Sequence, residues 1–232
     1  MLDVFCLFVV DYIMKIMFLI IISYFIGSIS FARLIAKMHG KDLRQVGSGN
    51  LGATNLSRAC GKKWAYLCFG LDVLKGFAPS FTARIILISA SETPATLALW
   101  LAVGTAAILG HIFPFYLKFK GGKGVATSFG VVLGIWPYYA VPGIICFGLW
   151  AVIVLTWRYI SLGSIIAATV FPLIMIILTA VLENWRFDTV WPLIVSAVIL
   201  CLLVIFLHRA NIKRLLEGTE NKVLQKNSEV EV

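Results

Sequence analysis

Apolar runs close to twenty residues long recur along the whole chain, and they leave few folds open. Residues 14–36 read MKIMFLIIISYFIGSISFARLIA and residues 189–207 read TVWPLIVSAVILCLLVIFL. A helix of about 20 apolar residues crosses the hydrocarbon core of a bilayer, and such a helix satisfies its own backbone in lipid. The runs lack the alternation of apolar and polar residues that a lipid-facing barrel strand requires. Hydrophobic residues make up 60% of the 232, well above the roughly 45–50% of a soluble domain. The expected fold class is an all-α polytopic integral membrane protein.

The sequence predicts seven spans, at 14–36, 64–88, 95–117, 125–140, 141–157, 161–182 and 189–207. Between the fourth and fifth spans the only helix breakers are Pro137 and Pro142 with Gly143. Two short helices around a tight turn are preferred there over one long kinked helix. Orientation follows from Lys and Arg, which short cytoplasmic loops retain. Nearly all of the 20 basic residues fall on loop 37–63, loop 118–124, the turn at Arg158 and the segment after 207, or, like Arg33, at the membrane edge of that side; Lys15, Lys75, Arg84 and Arg186 are the exceptions. The amino terminus is therefore expected outside and the carboxyl terminus in the cytoplasm.

Residues 1–13 carry two Asp ahead of the apolar run, where a signal peptide would be basic. They read as an amino-terminal extension preceding one membrane domain, 14–222, with a polar, disordered tail over 223–232. Cys6, Cys60, Cys68, Cys146 and Cys201 are scattered singly, without the spacing of a zinc or redox site, and read as small apolar residues. The acidic residues do not cluster, so neither metal nor cofactor is expected. The net charge of +9 has two explanations: topology and anionic headgroups, or neutralisation of a phosphorylated substrate. A nucleic-acid partner is not expected.

Loop 37–63, KMHGKDLRQVGSGNLGATNLSRACGKK, weighs toward phosphate. Its GSGNLG matches the dinucleotide fingerprint GxGxxG, and Asp72 lies twenty residues beyond Gly52. That fingerprint needs a strand before it and a βαβ unit around it, and here apolar helices flank it, so the match is false. The physics survives. Gly47, Gly49 and Gly52 let backbone N–H groups converge on an anion, Ser48, Asn50, Thr54 and Asn55 add side-chain donors, and Arg58 follows at the start of a helix. An ordinary turn-rich loop predicts the glycines but not this density of donors between two arginines.

A second cluster, KFKGGKG at 118–124, fails as a nucleotide-binding P-loop because Gly124 stands where Ser or Thr is required. Lys118, Lys120 and Lys123 around Gly121 and Gly122 at a helix start nevertheless make an anion seat, or else a snorkelling basic turn. RYISLGS (158–164) and HRANIKRLLEGTENK (208–222) supply further polar groups, the latter as an interfacial helix with His208 and Asn211 on one face. His208 and His111 have capping roles as alternatives to catalysis. Asp72 and Lys75, spaced i, i+3 within the second span, read equally as a functional pair or as a structural tie.

GSGNLGATN with Arg58, LDVLKG (71–76), GHIFP (110–114), FKGGKGVAT (119–127), SLGS (161–164) and HRANIKRLLEGTE (208–220) together resemble the bacterial acyl-phosphate:glycerol-3-phosphate acyltransferases, the PlsY family, in order from about residue 20 to 222. The resemblance implies transfer of a fatty acyl group from acyl phosphate to the sn-1 hydroxyl of glycerol 3-phosphate, the first acylation of phospholipid synthesis. It implies a bacterial inner-membrane location with a cytoplasmic site, contact with membrane lipids, and a partner enzyme that makes acyl phosphate from acyl-ACP. It assigns Ser48, Arg58, Lys123, His208 and Asn211 to catalysis. Gly47, Gly49, Asn50, Gly52, Thr54, Asn55, Lys120, Gly121, Gly122, Ser161 and Glu220 are assigned to substrate binding. None of His39, His111 or His208 has Asp five positions later, so the His-x4-Asp site of other glycerolipid acyltransferases is missing. A phosphate or organic-anion transporter is the rival reading, but its seats would lie at the midplane between repeated halves. A non-catalytic membrane scaffold would leave both glycine-rich loops without a purpose.

Overall fold

A computed structural model describes residues 2–87 and 92–222; residues 88–91 and the tail from 223 lie outside the described residues. Ten α-helices and two short 3-10 turns make up the regular structure, and no strand occurs among the described residues. The helices are α1 (Leu2–Ser28), α2 (Phe31–Met38), α3 (Ala53–Cys60), α4 (Lys62–Leu87), α5 (Pro94–Ile112), α6 (Val125–Gly134), α7 (Ala140–Trp157), α8 (Ile160–Val181), α9 (Phe187–Leu207) and α10 (Arg209–Leu216). Five stretches, Ile13–Met38, Pro94–Leu117, Ala140–Trp157, Ile160–Val181 and Phe187–Leu207, are long and apolar enough to cross a membrane. The chain is a membrane protein of all-α class. α4 has the length at 26 residues but carries Asp72, Lys75 and Arg84, and the apolar α6 has only ten residues.

α5 is the central helix. It opens on a capping box, in which the Thr93 hydroxyl accepts the Thr96 N–H at 3.2 Å and Thr96 Oγ1 accepts the Thr93 N–H at 2.9 Å. Trp100, Val103 and Ala107 on it are fully buried. Small residues let the backbones close: a Cβ on Gly27 of α1 would fall 2.1 Å from Ala107 O, and one on Gly110 would fall 2.2 Å from Tyr24 O. α4 and α6 cross in the same way, where Gly76 meets Thr127 O and Gly130 meets Val73 O. Lipid tails drive no hydrophobic association between helices, so this close contact and buried polar links such as Ser23 Oγ to Val103 O, 2.6 Å, hold the bundle. The outward rows Leu173, Ile176, Ile177 and Val181 of α8 and Val198, Ile199, Leu202 and Phe206 of α9 are exposed, as lipid-facing rows must be.

Three boundaries differ from the sequence reading. The first run is not one helix over 14–36: α1 already runs from Leu2, stops at Ser28, and α2 restarts at Phe31 with Ala32, Ile35 and Ala36 turned inward. Polar side chains from distant helices fill the break. Tyr116 OH donates to Ser28 O at 2.7 Å and accepts the Ser30 N–H at 3.1 Å, and Lys75 Nζ donates to Ile29 O at 2.6 Å. Residues 125–157 form two helices, but α6 ends at Gly134, so the turn is 135–139 rather than a point near 140. Loop 37–63 also contains a full helix, α3.

α5, α7 and α9 end where α6, α8 and α10 begin, and the three joints 113–124, 158–159 and 208 lie at one end of the bundle. Two glycine-rich loops and two polar joints from distant parts of the sequence therefore share one face.

Candidate active site

Loop 47–55 is folded around Asn55. Its side chain is buried at 2% exposure; Oδ1 accepts the Ser48 N–H at 3.2 Å, while Nδ2 faces three carbonyls, Leu43 O and Val46 O at 2.9 Å and Asn50 O at 3.1 Å. Gly47 and Gly49 hold positive φ of 54° and 68°. A Cβ on Gly47 would fall 2.7 Å from Asn55 Oδ1 and 3.3 Å from Arg58 Cδ, so only glycine fits between them. Gly52 caps α3, and Leu56 N–H donates to its carbonyl at 3.0 Å. Ser48 and Arg58 are exposed, and Asn50 and Thr54 are half-buried. The loop is thus a rigid rim whose outward groups are the Ser48 hydroxyl and the Arg58 guanidinium.

The second loop lies on the end of α5. Gly121 N–H donates to Ile112 O at 2.9 Å and Gly122 N–H to His111 O at 3.1 Å. Gly124, with φ of 79°, caps α6. Lys120 is exposed, whereas Lys123 reaches inward to donate to Asn211 Oδ1 on α10. Asn211 Nδ2 in turn donates to Glu220 Oε1 at 2.6 Å. The same carboxyl accepts from Ser161 Oγ at 2.8 Å and, through Oε2, from Arg214 Nε at 2.7 Å. Loop 118–124, the start of α8, α10 and the segment beyond it thus meet in one network. Of the residues expected here, Lys123, Ser161, Asn211 and Glu220 come together directly. Arg214 was not among them, although its place one turn from Asn211 on the same helix is a legible signal.

Charge in this network is shaped by burial. Burial pushes Lys123 down to about 8, with the nearby Arg214 and Arg58 charges acting in the same direction against Glu220. Arg58 therefore acts on Lys123 from the rim of the first loop. Burial opposes ionisation of Glu220, but hydrogen bonds from Asn211, Ser161 and Arg214 together hold it below the usual carboxylate range. His208, 3% exposed, pairs Nδ1 with Val204 O at 2.8 Å, and burial together with the Lys123 charge pushes it down to about 4. With Nδ1 as the donor to that carbonyl, Nε2 carries a lone pair and the imidazole is neutral near pH 7.

Beneath the network lies an apolar cleft walled mainly by α6, α7, α8 and α9, with Phe69 of α4 and Ile108 of α5 completing the lining. Val125, which begins α6 two residues after Lys123, and Val204, whose carbonyl holds His208, line its end nearest the network. Phe129, Phe147 and Trp150 line one wall as a stack, with ring centroids 4.7 Å and 5.5 Å apart. Tyr139 and Phe171 meet edge to face at 5.0 Å near Ala197, about 10 Å from Val204 along α9 at 1.5 Å per residue. Tyr139 OH is tied off on Leu193 O at 2.5 Å, so the ring faces the cleft without a free hydroxyl. Sequence reading could not locate the cleft, because its wall is assembled from six helices. Among the described residues, no group of three or more His, Cys, Asp or Glu could hold a metal ion.

A cationic cup beside an apolar cleft in a membrane protein has the shape and charge to receive a molecule with an anionic head and a fatty tail. Residues 17–218 match the family described as glycerol-3-phosphate acyltransferase. The chain is 42% identical over 209 residues to the glycerol-3-phosphate acyltransferase of Aquifex aeolicus, covering 90% of this chain and all of that one. It is 42% identical over 203 residues to that of Geobacter sulfurreducens, covering 87% and 94%. The crystal structure of PlsY, an integral membrane glycerol 3-phosphate acyltransferase, in its glycerol 3-phosphate form superposes with a TM-score of 0.77 at 40% identity, covering 90% of this chain and 95% of that one. Its lysophosphatidic acid form gives 0.75 at 38%. The chain belongs to the glycerol-3-phosphate acyltransferase family.

Proposed function

We propose that the protein transfers a fatty acyl group from acyl phosphate to the sn-1 hydroxyl of glycerol 3-phosphate, releasing 1-acyl-glycerol 3-phosphate and phosphate. The observation that carries this reading is the position of Lys123, two residues from Val125 in the wall of the apolar cleft and inside a network of fixed donors. An acyl chain in the cleft brings its carbonyl to the cup, where the phosphate head meets the rim of loop 47–55. Ser48, Asn50, Thr54 and the backbone around Gly47, Gly49 and Gly52 hold that head, with Asn55 holding the loop itself. Arg58, Lys120 and Lys123 balance phosphate charge, and Gly121 and Gly122 leave room for glycerol 3-phosphate beside Ser161, His208, Asn211 and Glu220.

In the reaction the sn-1 oxygen bonds to the acyl carbon, the bond from that carbon to the phosphate oxygen breaks, and the hydroxyl proton passes to a phosphate oxygen. A substrate phosphate, with a second pKa of about 6, is a better base near neutrality than His208, which is held at about 4. Acyl phosphate is already an activated mixed anhydride, so positioning and charge stabilisation supply the rate without a protein nucleophile.

In this reading residues 14–222 form one acyltransferase domain with seven crossings, α4 and the short α6 included. The amino terminus is outside and the cup faces the cytoplasm of a bacterial inner membrane. The basic loops at the cup end support that orientation. An acyl-ACP:phosphate acyltransferase supplies the donor. The test is a donor comparison in reconstituted vesicles: labelled glycerol 3-phosphate with acyl phosphate is expected to yield labelled lysophosphatidate and an equal amount of phosphate. Product formed only from acyl-CoA or acyl-ACP would overturn the reading.

A further inference from the structure

Asp72, Lys75 and His111 are buried below the cup and take no part in the chemistry above. Lys75 Nζ lies 2.7 Å from Asp72 Oδ1 and donates to Ile29 O at the α1–α2 break. A buried lysine with both a carboxylate and the open end of a helix is compensated twice, and the pair fastens α4 to α1. His111 Nδ1 lies 3.7 Å from Asp72 Oδ1, beyond hydrogen-bond length but in contact with the same carboxylate.

The far edge of the ring is the informative one. A Cβ on Gly122 would fall 2.1 Å from His111 Nε2, and one on Gly121 would fall 2.0 Å from His111 O. With the hydrogen bond from Gly122 N–H to His111 O at 3.1 Å, the glycine loop rests on both the ring and the backbone of this residue. Lys123 is the next residue. The ring therefore stands between the Asp72–Lys75 pair and the loop that aims Lys123.

We propose that His111 is a positioning residue, a shelf that sets the height of loop 121–124, and that Asp72 and Lys75 clamp the shelf. The proposal rests on the reading of Lys123 as a phosphate ligand. Gly122 is glycine because the shelf is there, and displacement of the loop by a side chain moves Lys123 away from glycerol 3-phosphate. Misplacement of a binding group by about 1 Å is enough to cost about 100-fold in rate.

The test is a double-mutant cycle in reconstituted vesicles, reading KM for glycerol 3-phosphate separately from kcat and from KM for acyl phosphate. Gly122→Ala is expected to raise KM for glycerol 3-phosphate by about tenfold or more and His111→Ala alone, which removes the shelf, by about threefold or more, with the double variant at least about threefold short of the product of the two rises because the methyl group then has space. Rises that simply multiply in the folded double variant, or an unchanged KM in His111→Ala, would overturn the shelf. Asp72→Asn, which keeps shape and volume, tests the clamp independently. It is expected to raise KM for glycerol 3-phosphate about three- to tenfold with kcat changed less than about twofold. An unchanged KM would overturn the clamp. Lys123→Ala separates the two levels: if it leaves KM for glycerol 3-phosphate unaltered, the phosphate reading fails whatever His111 does.

Discussion

The Lys123 ammonium donates to the Asn211 side-chain oxygen across 88 residues of sequence, and Asn211 passes the contact on by donating to Glu220. An amide suits that place because one end must accept from a cation while the other donates to a carboxylate. Asn211→Asp keeps the shape but sets a second carboxylate against Glu220. Activity is expected to fall about 100-fold or more, as far as in Asn211→Ala, since a like-charge pair replaces a hydrogen bond. Steady-state kcat/KM of the two variants decides it, and an active Asp variant would contradict the assignment.

Lys123 gives the enzyme an alkaline limit. Its pKa is lowered to about 8, so the free protein carries the charge below that pH and loses it as pH rises through it. The value of kcat/KM for glycerol 3-phosphate is expected to fall above about pH 8, because this ratio reports groups of the free enzyme. Lys123→Arg, which stays protonated, is expected to lose that limb while keeping reduced activity.

His208 is expected not to be the general base. His208→Asn preserves a donor toward Val204 O but removes the atom equivalent to Nε2. A lost general base costs about 10²- to 10⁴-fold, so a fall in kcat smaller than about tenfold is the expected result. A larger fall, with a pH profile that loses its acid limb, would assign the proton to His208.

Asn55 is expected to matter for loop order rather than for contact with substrate. Asn55→Ala leaves Asn50 O and the Ser48 N–H without their partner, at about 1–3 kcal/mol for a buried group left unpaired, and takes one of two hydrogen bonds from Leu43 O and from Val46 O. Thermal unfolding in detergent should show a Tm several degrees lower, whereas Thr54→Ala should leave Tm within about a degree of the parent.

Ala168 lines the cleft midway along α8. Ala168→Phe shortens the available space, so kcat/KM is expected to fall by about tenfold or more for a long-chain acyl phosphate and by less than about threefold for a short-chain one. Equal losses for both chain lengths would place the acyl chain elsewhere.

The sequence carried the chemistry of the loops better than the lengths of the helices. Gly47, Ser48, Arg58 and Lys123 stand out because glycines and cations have no reason to alternate in an apolar chain unless backbone and charge converge. The α1–α2 break was hidden, because Ser28-Ile29-Ser30 is unremarkable locally and the groups that stabilise it, Tyr116 and Lys75, come from elsewhere. Asn55 looked like one more outward donor, and only the fold shows it turned inward. Asp72 and Lys75 were visible as anomalies but their meaning was not, since it depends on His111 and Gly122 meeting across the bundle. The cleft left no local mark at all.

Direct transfer at the cup is tested most sharply by mixing acyl-labelled acyl phosphate with a stoichiometric amount of purified protein and quenching, with and without glycerol 3-phosphate. The predicted result is label in lysophosphatidate, with one phosphate released per product, only when glycerol 3-phosphate is present, and no label on the protein in either case. Label on the protein without acceptor, at Ser48 or any other residue, or no labelled lysophosphatidate with it, would contradict the account.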